Sequence, residues 1–207
     1  MSHNTKETNA KELYELLESL SKYFDEPVKM YALGGTALTI LGIKPSTRDI
    51  DVNIHSTKEY NYTLKIFEEV GFKRKGTIRW LTQEGMMFDV FSNYFILGTQ
   101  ILHDCLELSK FIKSFGKIEL YTLSFEDIII TKLARGDDRD FIDIKNIFEM
   151  NKINLHSLAK RYKETMETSV VAFYKQKLLD LIEIKFIELK YPIDEQLIND
   201  VKKWDKY

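Results

Sequence analysis

The stretch from Gly34-Gly35-Thr36 to Asp49-Ile50-Asp51 limits this chain more than any other. It reads as an apolar strand, a glycine turn opening a short helix, a polar loop, and a second strand carrying two acids. Paired glycines let backbone N–H groups approach an anion closely, and the helix that follows directs its positive end to the same place. Ile50, Val52 and Ile54 alternate with polar residues, so an extended strand puts Asp49 and Asp51 on one face. Two convergent carboxylates suit a hard divalent cation such as Mg²⁺. A phosphate cradle beside a metal pair implies nucleotide chemistry.

The rest of the chain supplies a frame for that stretch. Leu13, Leu16, Leu17, Leu20 and Phe24 recur at helical spacing and predict a helix over Ala10–Phe24, stopped by Pro27. Val28–Leu33 is expected as a buried strand, Thr36–Leu41 as the helix after the turn, and Asp49–Ile54 as the acidic strand. Ser56 or Thr57 caps a helix to about Val70. Phe72–Thr82 and Met86–Phe91 form a predicted hairpin about Glu84-Gly85. It places Asp89 among Phe88, Val90 and Phe91, where an acid needs a partner or a metal. Ile101, Cys105, Leu108, Ile112 and Phe115 predict a helix over Thr99–Phe115, and Lys117–Leu123 a further strand. From Ser124 onward the pattern is helical: to Ala134, over Arg139–Met150, over Leu155–Lys190 with a break near Thr168-Ser169, and over Ile193–Trp204. The polar residues 1–8 are expected to be frayed.

Composition excludes several classes. At 207 residues, with 44% hydrophobic and 30% charged residues, the chain can bury a substantial core. A net charge of −2 gives no electrostatic case for a dedicated nucleic-acid binder. A single cysteine, Cys105, rules out an internal disulfide framework and a cysteine-built zinc site. With no signal-like amino terminus and no apolar run of membrane length, a cytoplasmic protein with no membrane partner is expected.

Five segments in order give the chain a family likeness: Leu33-Gly34-Gly35-Thr36-Ala37-Leu38, Thr47-Arg48-Asp49-Ile50-Asp51, Phe88-Asp89-Val90, Ser124-Phe125-Glu126-Asp127 leading to Thr131-Lys132-Leu133, and Arg139-Asp140-Phe141-Ile142-Asp143-Ile144. Together they resemble the nucleotidyltransferase superfamily, the fold of DNA polymerase beta. Within it they look most like AbiEii-type toxins and small stand-alone transferases. The resemblance implies an α/β (α+β) protein with a mixed-sheet nucleotidyltransferase lobe over residues 1–123, including the N-terminal helix. An all-helical lobe over 124–207 then closes a nucleotide cleft. It implies that Gly34, Gly35 and Thr36 hold a triphosphate and that Asp49, Asp51 and Asp89 bind two Mg²⁺. Such a pair of ions activates an acceptor hydroxyl and stabilises the leaving pyrophosphate. The serine that follows the first glycine in that superfamily is Gly35 here, with Thr36 next, so a hydroxyl contact to phosphate falls to Thr36 or is replaced by backbone.

Lys132 is expected to reach nucleotide phosphates, with a surface lysine as the alternative. Asp140 and Asp143 share a helical face, and either lie near the nucleotide or pair with Arg135 or Arg139. Arg48 either touches phosphate or neutralises the acids. The expected reaction is Mg²⁺-dependent transfer of a nucleoside monophosphate from an NTP to a hydroxyl on RNA or protein. Two alternatives stand beside it: a toxin-type phosphotransferase acting on tRNA or on a protein partner, and a silent nucleotide-binding or antitoxin-like module. The AbiEii likeness also implies a cognate toxin or antitoxin partner.

Overall fold

A computed structural model describes residues 7–204, except 170, 189 and 193. The start of the last predicted helix, Ile193, lies outside the described residues, as do residues 1–6 of the segment expected to be frayed. The described chain divides into two compact units. One runs to Ile96 and resumes over Asp104–Ser124; the other comprises Leu97–His103 and the residues from Phe125 onward. No helix among the described residues is long and apolar enough to cross a membrane.

The first unit is built on a seven-stranded mixed sheet. Its strands are β1 (Val28–Ala32), β2 (Asp49–Asn53), β3 (Lys73–Arg74), β4 (Arg79–Leu81), β5 (Met87–Phe91), β8 (Lys110–Phe115) and β9 (Ile118–Thr122). The two-residue strands β6 (Phe95–Ile96) and β7 (Thr99–Gln100) lie outside that sheet. The spatial order is β3-β4-β5-β2-β1-β9-β8. β1 runs parallel to β9 and β2 parallel to β5, while β1–β2, β3–β4, β4–β5 and β8–β9 are antiparallel.

Side chains alternate across this sheet as period-two geometry demands. One face carries Val28, Met30, Ala32, Ile50, Val52, Trp80, Phe88, Val90, Ile118 and Leu120, all essentially fully buried. Helix α3 (Thr57–Glu69) packs Phe67 edge-on against both Trp80 and Phe88 there. Helix α1 (Ala10–Ser21) buries Leu13, Leu17 and Leu20. Its start is fixed by a capping box in which Asn9 and Glu12 satisfy each other's backbone N–H. The opposite face, on β2 and β5, carries the acids.

The predicted helix over Thr99–Phe115 is not formed. The segment instead holds β7, a 3₁₀ turn at His103–Leu106 and strand β8. Only Cys105, Phe115 and Ile101 of its supposed apolar face are buried, and Leu108 is half exposed. The physical reason lies in Gly116-Lys117, a two-residue connection with Gly116 at φ +52°. That left-handed glycine closes a tight hairpin, so Phe111 to Phe115 pair with β9 and do not coil.

The second unit is helical: α4 (Phe125–Arg135), α5 (Asp138–Met150), α6 (Leu155–Thr168), α7 (Tyr174–Asp180), a π-helical turn at Leu181–Lys185, α8 (Phe186–Glu188) and α9 (Glu195–Lys202). The expected stop at Gly136 is present at φ +76°. The break near Thr168-Ser169 is also present, because Ser169 takes an extended conformation. Tyr162, Leu178, Leu181, Phe186 and Val201 form its core.

Candidate active site

The acidic face is assembled by strand register. Asp51 sits directly opposite Asp89, and Asp49 opposite Met87, so parallel pairing of β2 with β5 brings all three carboxylates to one side. Ile50 and Val52 point the other way and are buried, which anchors the register. Asp49 and Asp51 are half-buried, whereas Asp89 is only 5% exposed.

The glycine turn is stitched to this strand. Helix α2 (Gly34–Ile40) begins at Gly34, whose φ of +48° a β-carbon would strain. A Cβ on Gly35 would lie 2.7 Å from the Thr47 hydroxyl, so the turn must be bare for the loop to pack on it. The Thr36 hydroxyl donates to the Asp49 carbonyl at 3.1 Å and accepts from the Asp51 amide at 2.8 Å. Thr47 donates to the same Asp49 carbonyl at 3.0 Å. Thr36 is fully buried, and of the two readings, a contact from its hydroxyl or from backbone alone, the burial favours backbone. It fixes the acidic strand against the turn, and any anion contact there falls to backbone N–H groups. Leu33 at the N-cap supplies no side-chain acceptor to the first turn of α2. The first N–H groups of a helix have no partner within it, so they remain as donors at its start.

Arg79 completes the cluster, and it is the residue that the sequence pattern did not single out. Its Nε and Nη2 donate to the two carboxylate oxygens of Asp89 at 2.8 and 2.6 Å, a fork that antiparallel pairing of β4 with β5 sets by placing Arg79 opposite Asp89. The bond to Asp89 raises the guanidinium pKa above its ordinary value. Desolvation opposes that rise, and the charges of Asp89, Asp49 and Asp51 add to it. The acid among apolar neighbours thus has its partner, ten residues back. Arg48, by contrast, is exposed and pairs with Glu7 at 3.8 Å.

A divalent cation fits part of this set. Asp49 and Asp51 offer hard oxygen donors from one strand face, as Mg²⁺ requires. Asp89 is closed by a bidentate guanidinium, and among the described residues no three acidic, histidine or cysteine side chains converge at metal-holding spacing.

The remaining expected residues gather in the helical unit. Lys132, 2% exposed, donates to Asp143 at 2.6 Å and to Asp140 at 3.4 Å. Arg135 forks onto both oxygens of Asp140. Asp140 also accepts from the Asp137 amide, closing the capping box of α5. Burial would raise the Asp140 pKa. The Arg135 hydrogen bonds, the Lys132 and Arg135 charges and the Asp137 amide outweigh it, and the net shift is downward. The burial of Lys132 overturns the alternative of a surface lysine: its ammonium is held by two carboxylates inside the unit. Of the two readings of Asp140, the pair with Arg135 is the one formed. Two further contacts tie these helices. Asp127, fully buried, is forked by Arg161 at 2.8 and 3.0 Å, and Lys177 donates to the Ala134 carbonyl at the end of α4. A cavity of about 270 Å³ in this unit is lined by Phe141, Lys145, Leu181 and Lys185 among others, and by none of the expected site residues.

With this geometry in view, the comparisons fall into place. The chain belongs to the family described as nucleotidyltransferase of unknown function (DUF6036), which matches residues 9–193. Among solved structures, it is similar to ANT(2")-Ia in complex with adenylyl-2"-tobramycin, at 14% identity and a TM-score of 0.52, over 75% of this chain and 96% of that one. A Thermotoga maritima protein, TM1012, whose assignment as a nucleotidyltransferase is itself provisional, aligns at 15% identity and a TM-score of 0.45, over 72% of this chain and all of that one. No curated protein matches it in sequence. The superfamily resemblance and the mixed α/β class are borne out.

Proposed function

We propose that this chain transfers a nucleoside monophosphate from an NTP to a hydroxyl acceptor and releases pyrophosphate. The observation that carries this reading is the stitching of the Gly34-Gly35 turn to the Asp49–Asp51 strand through Thr36. It holds an anion cradle and a pair of carboxylates in fixed relation on one scaffold.

The N–H groups at the start of α2 bind the triphosphate, and the bare glycines allow its oxygens to approach. Asp49 and Asp51 hold Mg²⁺. When bound, that ion supplies charge stabilisation for the phosphates and for the leaving pyrophosphate. Thr36 and Thr47 keep the Asp49 and Asp51 backbone from shifting as charge moves. The acceptor oxygen forms a bond to the α-phosphorus as the bond from that phosphorus to the bridging oxygen breaks, and the hydroxyl proton leaves to solvent. The acceptor is a hydroxyl on RNA or on protein. A neighbour of the same fold holding an adenylylated hydroxyl compound supports the reaction class and is silent on the acceptor.

The test is transfer of label from each α-³²P NTP, with Mg²⁺, to macromolecules of a cell lysate. Label should appear with the wild type and vanish with Asp49→Asn/Asp51→Asn. Unchanged labelling by that variant would overturn the roles given to the acids, and label moving only from γ-³²P NTP would replace nucleotidyl with phosphoryl transfer.

A further inference from the structure

Glu7 and Thr8, just before α1, fall in the polar stretch expected to be frayed, yet both are tied to the loop that delivers the acidic strand. Thr8 and Thr47 form an isolated antiparallel bridge: the Thr8 amide donates to the Thr47 carbonyl at 2.7 Å, and the Thr47 amide donates to the Thr8 carbonyl at 2.9 Å. Beside it, the Ser46 hydroxyl donates to the Glu7 carboxylate at 2.6 Å, and Arg48 lies 3.8 Å from the same group. Thr8 is only 1% exposed, so water competes little for its bonds. We propose that Thr8 and Glu7 are positioning residues for the candidate site, clasping the loop so that Thr47 holds the acidic strand against the glycine turn.

The path is continuous, and every step of it lies in the sheet unit. Helix α1 is anchored by buried Leu13, Leu17 and Leu20, and the Asn9–Glu12 capping box fixes its start directly after Thr8. Thr8 carries that anchor across to Thr47. The Thr47 hydroxyl donates to the Asp49 carbonyl at 3.0 Å, and it fills the space that a β-carbon on Gly35 would need. One residue thus meets the clasp with its backbone and both halves of the site with its side chain. Loops are more mobile than the elements they join, and Pro45 offers this loop no N–H to pin. With the clasp removed, Thr47 drifts from Asp49, and the turn and strand lose part of their fixed spacing.

The inference rests on the proposed reading of that site, and two measurements separate them. One is calorimetric titration of each Mg²⁺-NTP into the full chain. The other is hydrogen exchange at the Asp51 amide, which is bonded to Thr36. Thr8→Pro deletes the N–H given to Thr47 and should weaken Mg²⁺-NTP binding on the order of tenfold, the size of one lost buried hydrogen bond. Glu7→Ala/Ser46→Ala, which removes an exposed contact and leaves the core intact, should weaken it on the order of threefold. Glu7→Gln keeps an acceptor for Ser46 and should bind like the wild type. Exchange at Asp51 should quicken in the first two variants and stay unchanged in the third. A Thr8→Pro chain, folded by circular dichroism, with wild-type binding and exchange would overturn the clasp. So would a Glu7→Ala/Ser46→Ala chain unchanged in both, whether or not Thr8→Pro folds. If Asp49→Asn/Asp51→Asn binds Mg²⁺-NTP as tightly as the wild type, the reading of the acids fails, and exchange at Asp51 alone then decides whether the clasp holds the strand.

Discussion

Two ionic clusters in this chain use the same residue types to opposite ends. In the sheet unit, Arg79 meets Asp89 beside Asp49 and Asp51, with the guanidinium partly in solvent. In the helical unit, Lys132 and Arg135 meet Asp140 and Asp143 in balance, with the Lys132 ammonium and the Asp140 carboxyl out of reach of water. The first is partly open to solvent and, in the function proposed above, takes a ligand. The second is closed, and its members bind one another from α4 and α5. The lesson is that a motif acid or lysine advertises chemistry only when its surroundings are open. Half-exposed, it can take an ion; sealed, it is a helix-to-helix tie.

The largest effect expected from this contrast is on stability. Lys132→Met removes the sealed cation and leaves Asp143 and Asp140 facing each other in the interior, which should cost about 3–5 kcal/mol of unfolding free energy in urea melts. Arg79→Gln removes a pair whose cation is half in solvent. It should cost less, about 1.5–3 kcal/mol, the worth of hydrogen bonds to a charged group. If the two losses come out equal, or reversed, the distinction between a sealed tie and an open site collapses. Acid sharpens the same point. Because the folded-state pKa of Asp140 lies below its unfolded value, its contribution to stability is complete above the ordinary carboxylate range and is lost as pH falls through and below that range. The acid limb of stability should therefore flatten in an Asp140→Asn variant, as read by melts between neutral pH and pH 3.

Much of the site was legible because backbone geometry writes itself into sequence. Gly34 and Gly35 announce a turn no side chain could occupy, and the alternation about Ile50 and Val52 announces that Asp49 and Asp51 share a face. Asp89 was legible as an acid in need of a partner. Which partner was not, because Arg79 is chosen by the register of the β4–β5 hairpin, and register is a long-range outcome of which faces pack. Lys132 and the Asp140–Asp143 pair were found as residues, and the pairing of Asp140 with Arg135 stood among the readings, but the choice was not legible, since sequence shows charge and spacing and does not show burial. The misread helix over Thr99–Phe115 has a similar origin: a three-to-four-residue apolar spacing also fits two short strands, and the decision lay with Gly116 at the hairpin.

A smaller effect is expected at the stitch between turn and strand. Thr36→Val keeps the volume of the buried side chain but leaves the Asp51 amide without its hydroxyl acceptor and the Asp49 carbonyl with the Thr47 hydroxyl alone. A buried group left unsatisfied costs about 1–3 kcal/mol, and label transfer should fall with it, since the strand that bears the acids is no longer pinned to the turn. A variant that loses stability with transfer intact would show that Thr36 braces the fold and not the site.

The smallest change in stability should come from the residues given the largest part in chemistry. Asp49→Asn/Asp51→Asn removes two half-exposed charges that share a strand face with Asp89, so in the absence of divalent ions the melt should move by no more than about 0.5 kcal/mol. Millimolar Mg²⁺ should then raise the melting temperature of the wild type, because an ion that binds only the folded chain stabilises it by mass action. The variant should show no such rise. A residue that holds a fold together reveals itself when removed, in any buffer, as Lys132 should. A residue kept for a ligand reveals itself only when the ligand is present, and a wild type indifferent to Mg²⁺ in this experiment would remove the acidic face from the second class.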